Sequence, residues 1–572
     1  MRLTDELAAL LERRLRVVGV DRRGFLRTIV ALTAAGIPAA AAAPKLGPGE
    51  RLAKDQILRT GGGGYFDRDP SSHDFGKDSY GGGHLALFAG LLQFDVDFVP
   101  IPDVAMKVES NGDGSVWRFS LRRDARWSNG VPCTAHDFVW SWQRVLNPAT
   151  AASYATFFYD IRNAEAFNKG RIVDPQQLGL RARDAYTLEV TLEGPRAYFP
   201  VLTAFYVAFP AYRPAVEQYG DTWTEPGHIV SNGPFRLESW THGQQLVLAK
   251  NPHYHGVHDI HLERIIVPII PLSAGLLPYE NDEVDFTLVP PGELRRVLAD
   301  PKLGKQVFRY PRPQTWYLIP QVTQSPFDNL SVRRAVSHAI DREAVAKVAL
   351  GYAIPAHSMV PPGVLGHIVD GAVPQIQAFD PKAAMLALKG TPFEGGKNWP
   401  NVVIAMRAQG DGAQPMAEAV QAMLLEHLNL KTELSVLEPR VFYPRLWKQE
   451  FQAVWIRWSI DYPDPHNEYF DTFYGKGTTG RRQAWVNEEF DRTVEAGRGE
   501  PDRRKRLELY QKAEEMLQRD VAYVPVAWGT PYAAFKPWVR GMKRNRSGDV
   551  VIDWFVYSRM LTHLYVIERS GS

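Results

Sequence analysis

The stretch Val116 to Pro148 reads VWRFSLRRDARWSNGVPCTAHDFVWSWQRVLNP. Trp117, Phe119 and Leu121 alternate with Arg118, Ser120 and Arg122, the period-two signature of a strand buried on one face. Trp127-Ser128-Asn129-Gly130 has turn composition. Thr134 then occupies the position of a helix N-cap, and Asp137 three residues later supplies the acidic half of a capping box, so a helix is expected from Ala135. Further along, the alternation of helical and strand patterns from 330 to 530 points to an α/β lobe.

A second stretch, Phe451 to Phe473, reads FQAVWIRWSIDYPDPHNEYFDTF. Phe451, Ala453, Val454, Trp455, Ile456 and Trp458 form an apolar run suited to a buried strand. The run stops at Asp461, Tyr462, Pro463, Asp464 and Pro465. A strand therefore delivers Asp461 to a turn beside tryptophans. In a desolvated cleft, a carboxylate so placed holds a ligand ammonium by a charge-assisted hydrogen bond, roughly twice as strong as a neutral one. Taken locally, Asp-Pro clusters mark turns more often than binding sites. Trp455 and Trp458 are three apart and so face opposite sides of a regular strand; Trp458 is the one expected to line a pocket.

The bulk composition narrows the class. The 572 residues are too many for one core, and Lys plus Arg (66) nearly balance Asp plus Glu (64), without the basic excess of a nucleic-acid binder. One cysteine, Cys133, allows no intrachain disulfide and no multi-thiolate zinc site. No G-x-S-x-G or H-E-x-x-H pattern occurs, and the chain is not expected to be an enzyme. His253, His255, His258 and His261 cluster in a turn, but their spacing is not a recognised ligand set and no metal or other cofactor is assigned.

The N-terminus carries Asp21-Arg22-Arg23-Gly24-Phe25-Leu26-Arg27, then an Ala-rich apolar run from Thr28 to Ala43. A basic region, an apolar region and a small-residue end make a secretory signal, and the arginine pair resembles a twin-arginine signal, so residues 1–43 are expected to direct export. The mature chain would begin near Pro44 and lie, soluble, in the periplasm. From Gly61 to Gly83 the chain is rich in Gly, Asp and Ser without a phosphate-loop pattern, and His84–Leu92 reads as the first buried helix.

The spacing W-x-F-x-L-R, W-S-N-G-x-P, T-A-x-D-F-V-x-S-x-x-R, carried by Trp117, Phe119, Leu121, Arg122, Trp127 to Gly130, Pro132, Thr134, Ala135, Asp137 to Val139, Ser141 and Arg144, resembles the extracellular solute-binding proteins of family 5, the peptide-binding components of ABC importers. Ser231 to Leu237 with Lys250-Asn251-Pro252-His253-Tyr254, and Pro326 to Asn329 with Val332 to Arg342, continue the resemblance. Val332, Val336, Ala339 and Ile340 recur at helical spacing and should be core. Pro415–Leu428 reads as a helix, Leu434–Leu437 as the strand after it, and Pro501–Arg519 as a long charged helix.

The resemblance implies a two-lobed periplasmic-binding-protein fold of the large peptide-binding type. Lobe I would span residues 44–311 with an extra subdomain, lobe II 312–530, and residues 531–572 would return to lobe I. Trp458, Asp461, Tyr462, Asp464 and Pro465 match the family's cleft motif G-W-x-x-D-Y-x-(D/E)-P, whose Asp receives the peptide α-ammonium; Arg457 replaces the family Gly. With the family in view, the ligand-binding reading of Asp461 is favoured over the turn. Main-chain groups near Gly76, Lys77 and Asp78 and near Arg457, Trp458 and Ser459 would pair with an extended peptide. Arg445 and Arg457 are candidates for its carboxylate. The partners implied are a short peptide, a permease and its ATPases, with the binding protein itself a monomer; an opine-like compound, glutathione or a nickel complex are the alternative ligands.

Overall fold

The computed structural model describes residues 44, 46–61, 69–77, 84–368, 376–408, 413–477, 482–552 and 557–569. The expected signal at 1–43, the glycine runs at 62–68 and 78–83, and Asp78 lie outside the described residues.

Two large mixed sheets carry the molecule. The first has seven strands in the order Val307–Arg309, Tyr532–Phe535, Phe286–Leu288, Ile57–Gly61, Arg264–Pro268, Gln245–Lys250 and Phe235–Thr241. The second has six, in the order Ala353–Pro355, Val524–Gly529, Gln314–Pro320, Ala453–Ser459, Val402–Arg407 and Thr432–Leu437. The chain passes between the sheets twice, and the two passages lie side by side. Tyr310 N–H donates to Pro531 O at 3.0 Å and Arg312 N–H to Gly529 O at 3.1 Å.

The extra subdomain of the first lobe is a four-stranded antiparallel sheet ordered Ala105–Ser110, Val116–Leu121, Thr187–Thr191, Leu180–Asp184. Trp117, Phe119 and Leu121 are buried, as their alternation indicates. The helix Ala135–Leu146 follows, and Thr134 donates to Asp137 Oδ2 through both its N–H (2.7 Å) and its hydroxyl (2.9 Å). Such a cap contributes about 1 kcal/mol. The face it orients buries Phe138, Trp142, Val145 and Leu146, with Trp142 stacked on Phe158 at 5.1 Å. Cys133 is fully buried just before this helix, and burial pushes its thiol well above the usual range, so it is a core residue.

In the second lobe the helix Leu330–His338 starts at Asn329, whose side chain accepts from Ser331 N–H at 2.8 Å. Val332, Val336, Ala339 and Ile340 are fully buried there. The helix expected from Pro415 starts two residues earlier, as Ala413–Leu428, and the strand after it is Thr432–Leu437. The charged helix is Arg503–Arg519.

One element departs from its apolar pattern. The expected helix His84–Leu92 is helical only over His84–Leu87, and Leu92–Phe94 is a strand. The side chain of Asn232 takes the main-chain groups a longer helix would have paired internally: Ala89 N–H donates to its Oδ1 at 3.0 Å, and its Nδ2 donates to Ala89 O at 2.9 Å. At Gly90 a Cβ would lie 2.5 Å from the Phe209 ring, so the backbone passes where no other residue fits.

Candidate functional site

The strand Ala453–Ser459 pairs antiparallel with Gln314–Pro320 along its whole length, from Ala453 opposite Pro320 to Ser459 opposite Gln314. Gln321 N–H donates to Gln452 O (2.9 Å) and Ile460 N–H to Pro313 O (3.1 Å) at its two ends. The alternation of an antiparallel ladder therefore turns the main-chain groups of the even-numbered residues toward Gln314–Pro320 and those of the odd-numbered residues the other way. On that other edge the strand Val402–Arg407 pairs only as far as Trp455. Arg457 and Ser459 thus direct main-chain groups past the end of the sheet.

Trp455 and Trp458 take opposite faces. Trp455 stacks on Trp316 at 5.9 Å and donates to Ala413 O at 3.1 Å, deep in the second lobe. Trp458 faces the lobe junction and donates its indole N–H to Asn467 Oδ1 at 3.1 Å. The Arg457 side chain lies on the Trp316 face, 5.6 Å from that ring, and donates to Gln314 Oε1 at 2.7 Å; the Ser459 hydroxyl reaches the same oxygen at 3.4 Å.

Beyond the strand, a turn presents Asp461. Its N–H donates to Asn467 Oδ1 at 2.9 Å, and Asn467 Nδ2 donates to Asp461 Oδ2 at 3.3 Å and to Asp471 Oδ2 at 3.0 Å. From the first lobe, the Tyr154 hydroxyl donates to Asp461 Oδ1 at 3.1 Å. Among the described residues no cation forms an ion pair with Asp461. Burial pushes its carboxyl up to about 6, against hydrogen bonds from Asn467 and Tyr154 and the charge of Arg482, which pull it down. Burial raises Asp471 further, to about 8. Two carboxyls bridged by one amide, one of them met by a hydroxyl from the opposite lobe, form an electronegative site suited to a cation with several N–H donors.

The turn is held from below. Asp464 is buried, caps the helix Pro465–Phe473 by accepting from His466 N–H at 2.9 Å, and pairs with Arg506 at 2.8 and 2.5 Å. Tyr462 is buried, donates to Asp471 Oδ2 at 3.0 Å and meets His466 Nδ1 at 2.6 Å. Tyr198 of the first lobe stacks on the His466 ring at 3.8 Å, and Phe157 meets Tyr462 edge-on at 5.8 Å. Asp160, also from the first lobe, pairs with Arg196, Tyr198 and, across the junction, Arg498.

Arg482 completes the surroundings. Its NH1 donates to Arg457 O at 2.9 Å, and its guanidinium lies over the Trp458 ring at 4.6 Å.

Asp461, Trp458, Ser459, Arg457 and Tyr462 are therefore gathered at one turn and strand end. Gly76 and Lys77 occupy a different setting, a tight turn around Asp74. Gly76 N–H donates to Asp74 Oδ1 and Lys77 N–H to Asp74 O, each at 2.9 Å, while Asp74 itself is held by Arg144 and by Trp223 Nε1 at 3.0 Å. Both N–H groups are already engaged, so a ligand contact there would have to use the carbonyls. The Lys77 ammonium pairs with Asp221. Arg445 is held at the surface by Glu450 at 3.1 Å.

The histidines at 253–261 do not converge. His255 pairs with Asp103 at 2.8 Å, His261 lies edge-on to Tyr565 at 5.8 Å, and among the described residues no three His, Cys, Asp or Glu side chains are placed to hold a metal ion. Among the described residues no helix is long and apolar enough to cross a membrane.

Sequence reasoning missed Tyr154, Asn467, Asp471 and Arg482. Asn467 and Asp471 carried a usable signal: four apart on the helix after Asp461, they share its face. Tyr154, some three hundred positions away, carried none.

Residues 99–481 match the family described as bacterial extracellular solute-binding proteins, family 5 Middle. The oligopeptide-binding protein OppA of Bacillus subtilis is 30% identical over 83% of this chain and 88% of its own length. The periplasmic oligopeptide-binding protein OppA of Salmonella typhimurium is 31% identical over 89% of this chain and 94% of its own. Among solved structures, the murein tripeptide binding protein MppA of Escherichia coli superposes with a TM-score of 0.76 at 27% identity, covering 91% of this chain and all of that one (100%). The motif spacing, the two-sheet architecture with its double crossing, and these matches agree: the chain belongs to the bacterial extracellular solute-binding proteins of family 5.

Proposed function

We propose that this protein captures short peptides between its lobes, with Asp461 receiving the α-ammonium, and delivers them to the permease and ATPases of an ABC importer. The observation that carries the reading is the Asp461 carboxyl itself. It is half-buried, bridged through Asn467 to a second carboxyl, met by Tyr154 from the facing lobe, and paired with no cation among the described residues. An arriving ammonium supplies three donors and one positive charge to this site, and the transfer of the charge out of water is compensated there. The names of relatives that bind oligopeptides and murein tripeptide support the same ligand class.

The odd-numbered main-chain groups at Arg457 and Ser459 would pair with the peptide as an added strand, which gives affinity independent of side-chain sequence. Lobe I, at 44–311, and lobe II, at 312–530, would close about the paired passages near 310–314 and 529–532, two short segments able to absorb the rotation; residues 531–572 return to lobe I. Residues 1–43 would export the chain by the twin-arginine route, leaving a soluble periplasmic monomer with a binding rather than a catalytic role.

A thermal-shift screen tests this. Pools of di- to pentapeptides should raise Tm, N-acetylated pools should not, and Asp461→Asn should abolish the response. Equal stabilisation by free and acetylated pools would exclude an ammonium anchor.

A further inference from the structure

Beside the ammonium site the two lobes meet through a second set of contacts, complete within the chain itself. Asp160 of the first lobe stands at its centre and is 8% exposed. Within its own lobe it accepts from Arg196 Nε at 2.7 Å and from the Tyr198 hydroxyl. From the second lobe the Arg498 guanidinium donates to the same carboxylate. A main-chain hydrogen bond crosses the junction next to this pair, from Ala197 N–H to Arg498 O at 3.2 Å. Tyr198 also crosses it, stacking on His466 at 3.8 Å.

The two charges depend on closure unequally. When the lobes part, Asp160 keeps Arg196 and Tyr198, so its burial is already compensated by the first lobe. Arg498 has no other ion pair among the described residues. It stands in the last turn of the helix Glu488–Gly499, its guanidinium over the Phe470 ring at 4.4 Å. On closing, it exchanges water for a charge-assisted hydrogen bond to a carboxylate that is already desolvated. The penalty of burying an ion pair therefore falls on one ion rather than two, and the pair favours the closed arrangement. The Arg498 Nε, buried without a hydrogen-bond partner, offsets part of this gain.

One short segment links the pair to the ligand site. Tyr154 reaches Asp461 from the start of residues 154–160, Asp160 reaches Arg498 from the end, and the 3-10 turn Ala155–Phe158 lies between them. The two contacts form and break with the same movement of the lobes.

We propose that Asp160 and Arg498 form a latch, which holds the lobes closed without touching the ligand and so scales the affinity for every ligand of the cleft by one common factor. Asp461 discriminates among ligands; the latch sets the closed fraction, by which the intrinsic dissociation constant is divided. The latch stands on the two-lobe architecture, and only its effect on peptide affinity rests on the peptide reading of Asp461.

Spin labels on the full-length chain test it. Val173 in the first lobe and Leu386 in the second are 85% and 69% exposed and accept labels through introduced cysteines, while Cys133 is buried. Double electron–electron resonance compares the labelled protein with its Arg498→Gln and Arg498→Lys variants, each without ligand and with saturating trialanine. The population matching the trialanine-bound protein should be present before peptide is added. Its ratio to the open population should fall about three- to thirtyfold in Arg498→Gln, the worth of one charged hydrogen bond less its desolvation. Arg498→Lys, which keeps the charge without the fork, should fall between the two. Isothermal titration should show trialanine and penta-alanine weakened by the same factor in Arg498→Gln, at most that of the population ratio. Melting curves establish that the variants are folded; if Arg498→Gln is not, Arg498→Lys carries the comparison.

Identical distance distributions in the wild type and the variant overturn the latch. So does an affinity loss confined to one of the two peptides, which would make Arg498 a ligand contact. If neither peptide binds any of the proteins, the peptide reading of Asp461 falls, and the distance distributions without ligand still decide the latch.

Discussion

Replacing Asp464 by Asn tests how the ligand-facing turn is built. Asp464 and Arg506 are 1% and 3% exposed, and the pair is bidentate at 2.8 and 2.5 Å. Arg506 also donates to Gly497 O at 3.1 Å, so its guanidinium cannot swing to solvent without breaking a second contact. Asn is as good an N-cap as Asp, so the hydrogen bond from His466 N–H to Oδ1 survives, while the charge and the Oδ2 acceptor for Arg506 NH1 are lost. Breaking a buried pair by removing one partner strands the other charge, at a cost of about 3–5 kcal/mol. Asp464→Ala should lose about 1 kcal/mol more, the cap itself. The assay is urea unfolding followed by tryptophan fluorescence, with the midpoint read at constant slope. Arg506→Gln in the Asp464→Asn background should recover part of the loss, because no unpaired charge then remains. A loss below about 1 kcal/mol for Asp464→Asn would mean that the pair is effectively solvated and does not hold the turn.

Peptide affinity should rise with pH through about 6, as the Asp461 carboxyl ionises, and level off above that until the ligand α-amino group deprotonates near 8; titration calorimetry across pH 5–8 checks this, and a flat profile below 7 contradicts it. Asp471 has its folded-state pKa raised to about 8, so its contribution to stability is present below the unfolded value of about 4 and is lost as pH rises toward 8. The stability of the unliganded wild type relative to Asp471→Asn should therefore fall over pH 4–8, measured as a Tm difference, and a constant difference would show that Asp471 titrates normally. Tyr154→Phe removes the one hydroxyl that meets Asp461 from the facing lobe, and should weaken free-amine peptides about three- to tenfold while leaving the unfolding midpoint within about 1 kcal/mol.

The sequence was most legible where local chemistry and tertiary role coincide. The alternation at Trp117, Phe119 and Leu121, the Thr134–Asp137 capping box and the spacing of Val332, Val336, Ala339 and Ile340 each have one local solution, and the fold adopts it. The opposite facing of Trp455 and Trp458 follows from strand geometry alone and is found. The apolar run His84–Leu92 is helical only to Leu87, because Asn232, a residue distant in sequence, takes the main-chain hydrogen bonds of Ala89. The site divides in the same way. Asp461 and its turn are contiguous and readable. Tyr154 and Arg482 arrive from other parts of the chain, and only the packed structure brings them to Asp461 and Trp458.

On the proposed peptide reading, the Asp461 carboxylate holds the ligand's ammonium. A double-mutant cycle measures it directly, with trialanine and N-acetyl-trialanine titrated into the wild type and Asp461→Asn by calorimetry. A charge pair of this kind predicts a coupling of about 2–5 kcal/mol, so that acetylation costs the wild type thirtyfold or more, roughly, and costs Asp461→Asn almost nothing. Acetylation that weakens both proteins by the same factor would mean that the ammonium is bound elsewhere and that Asp461 serves only its turn.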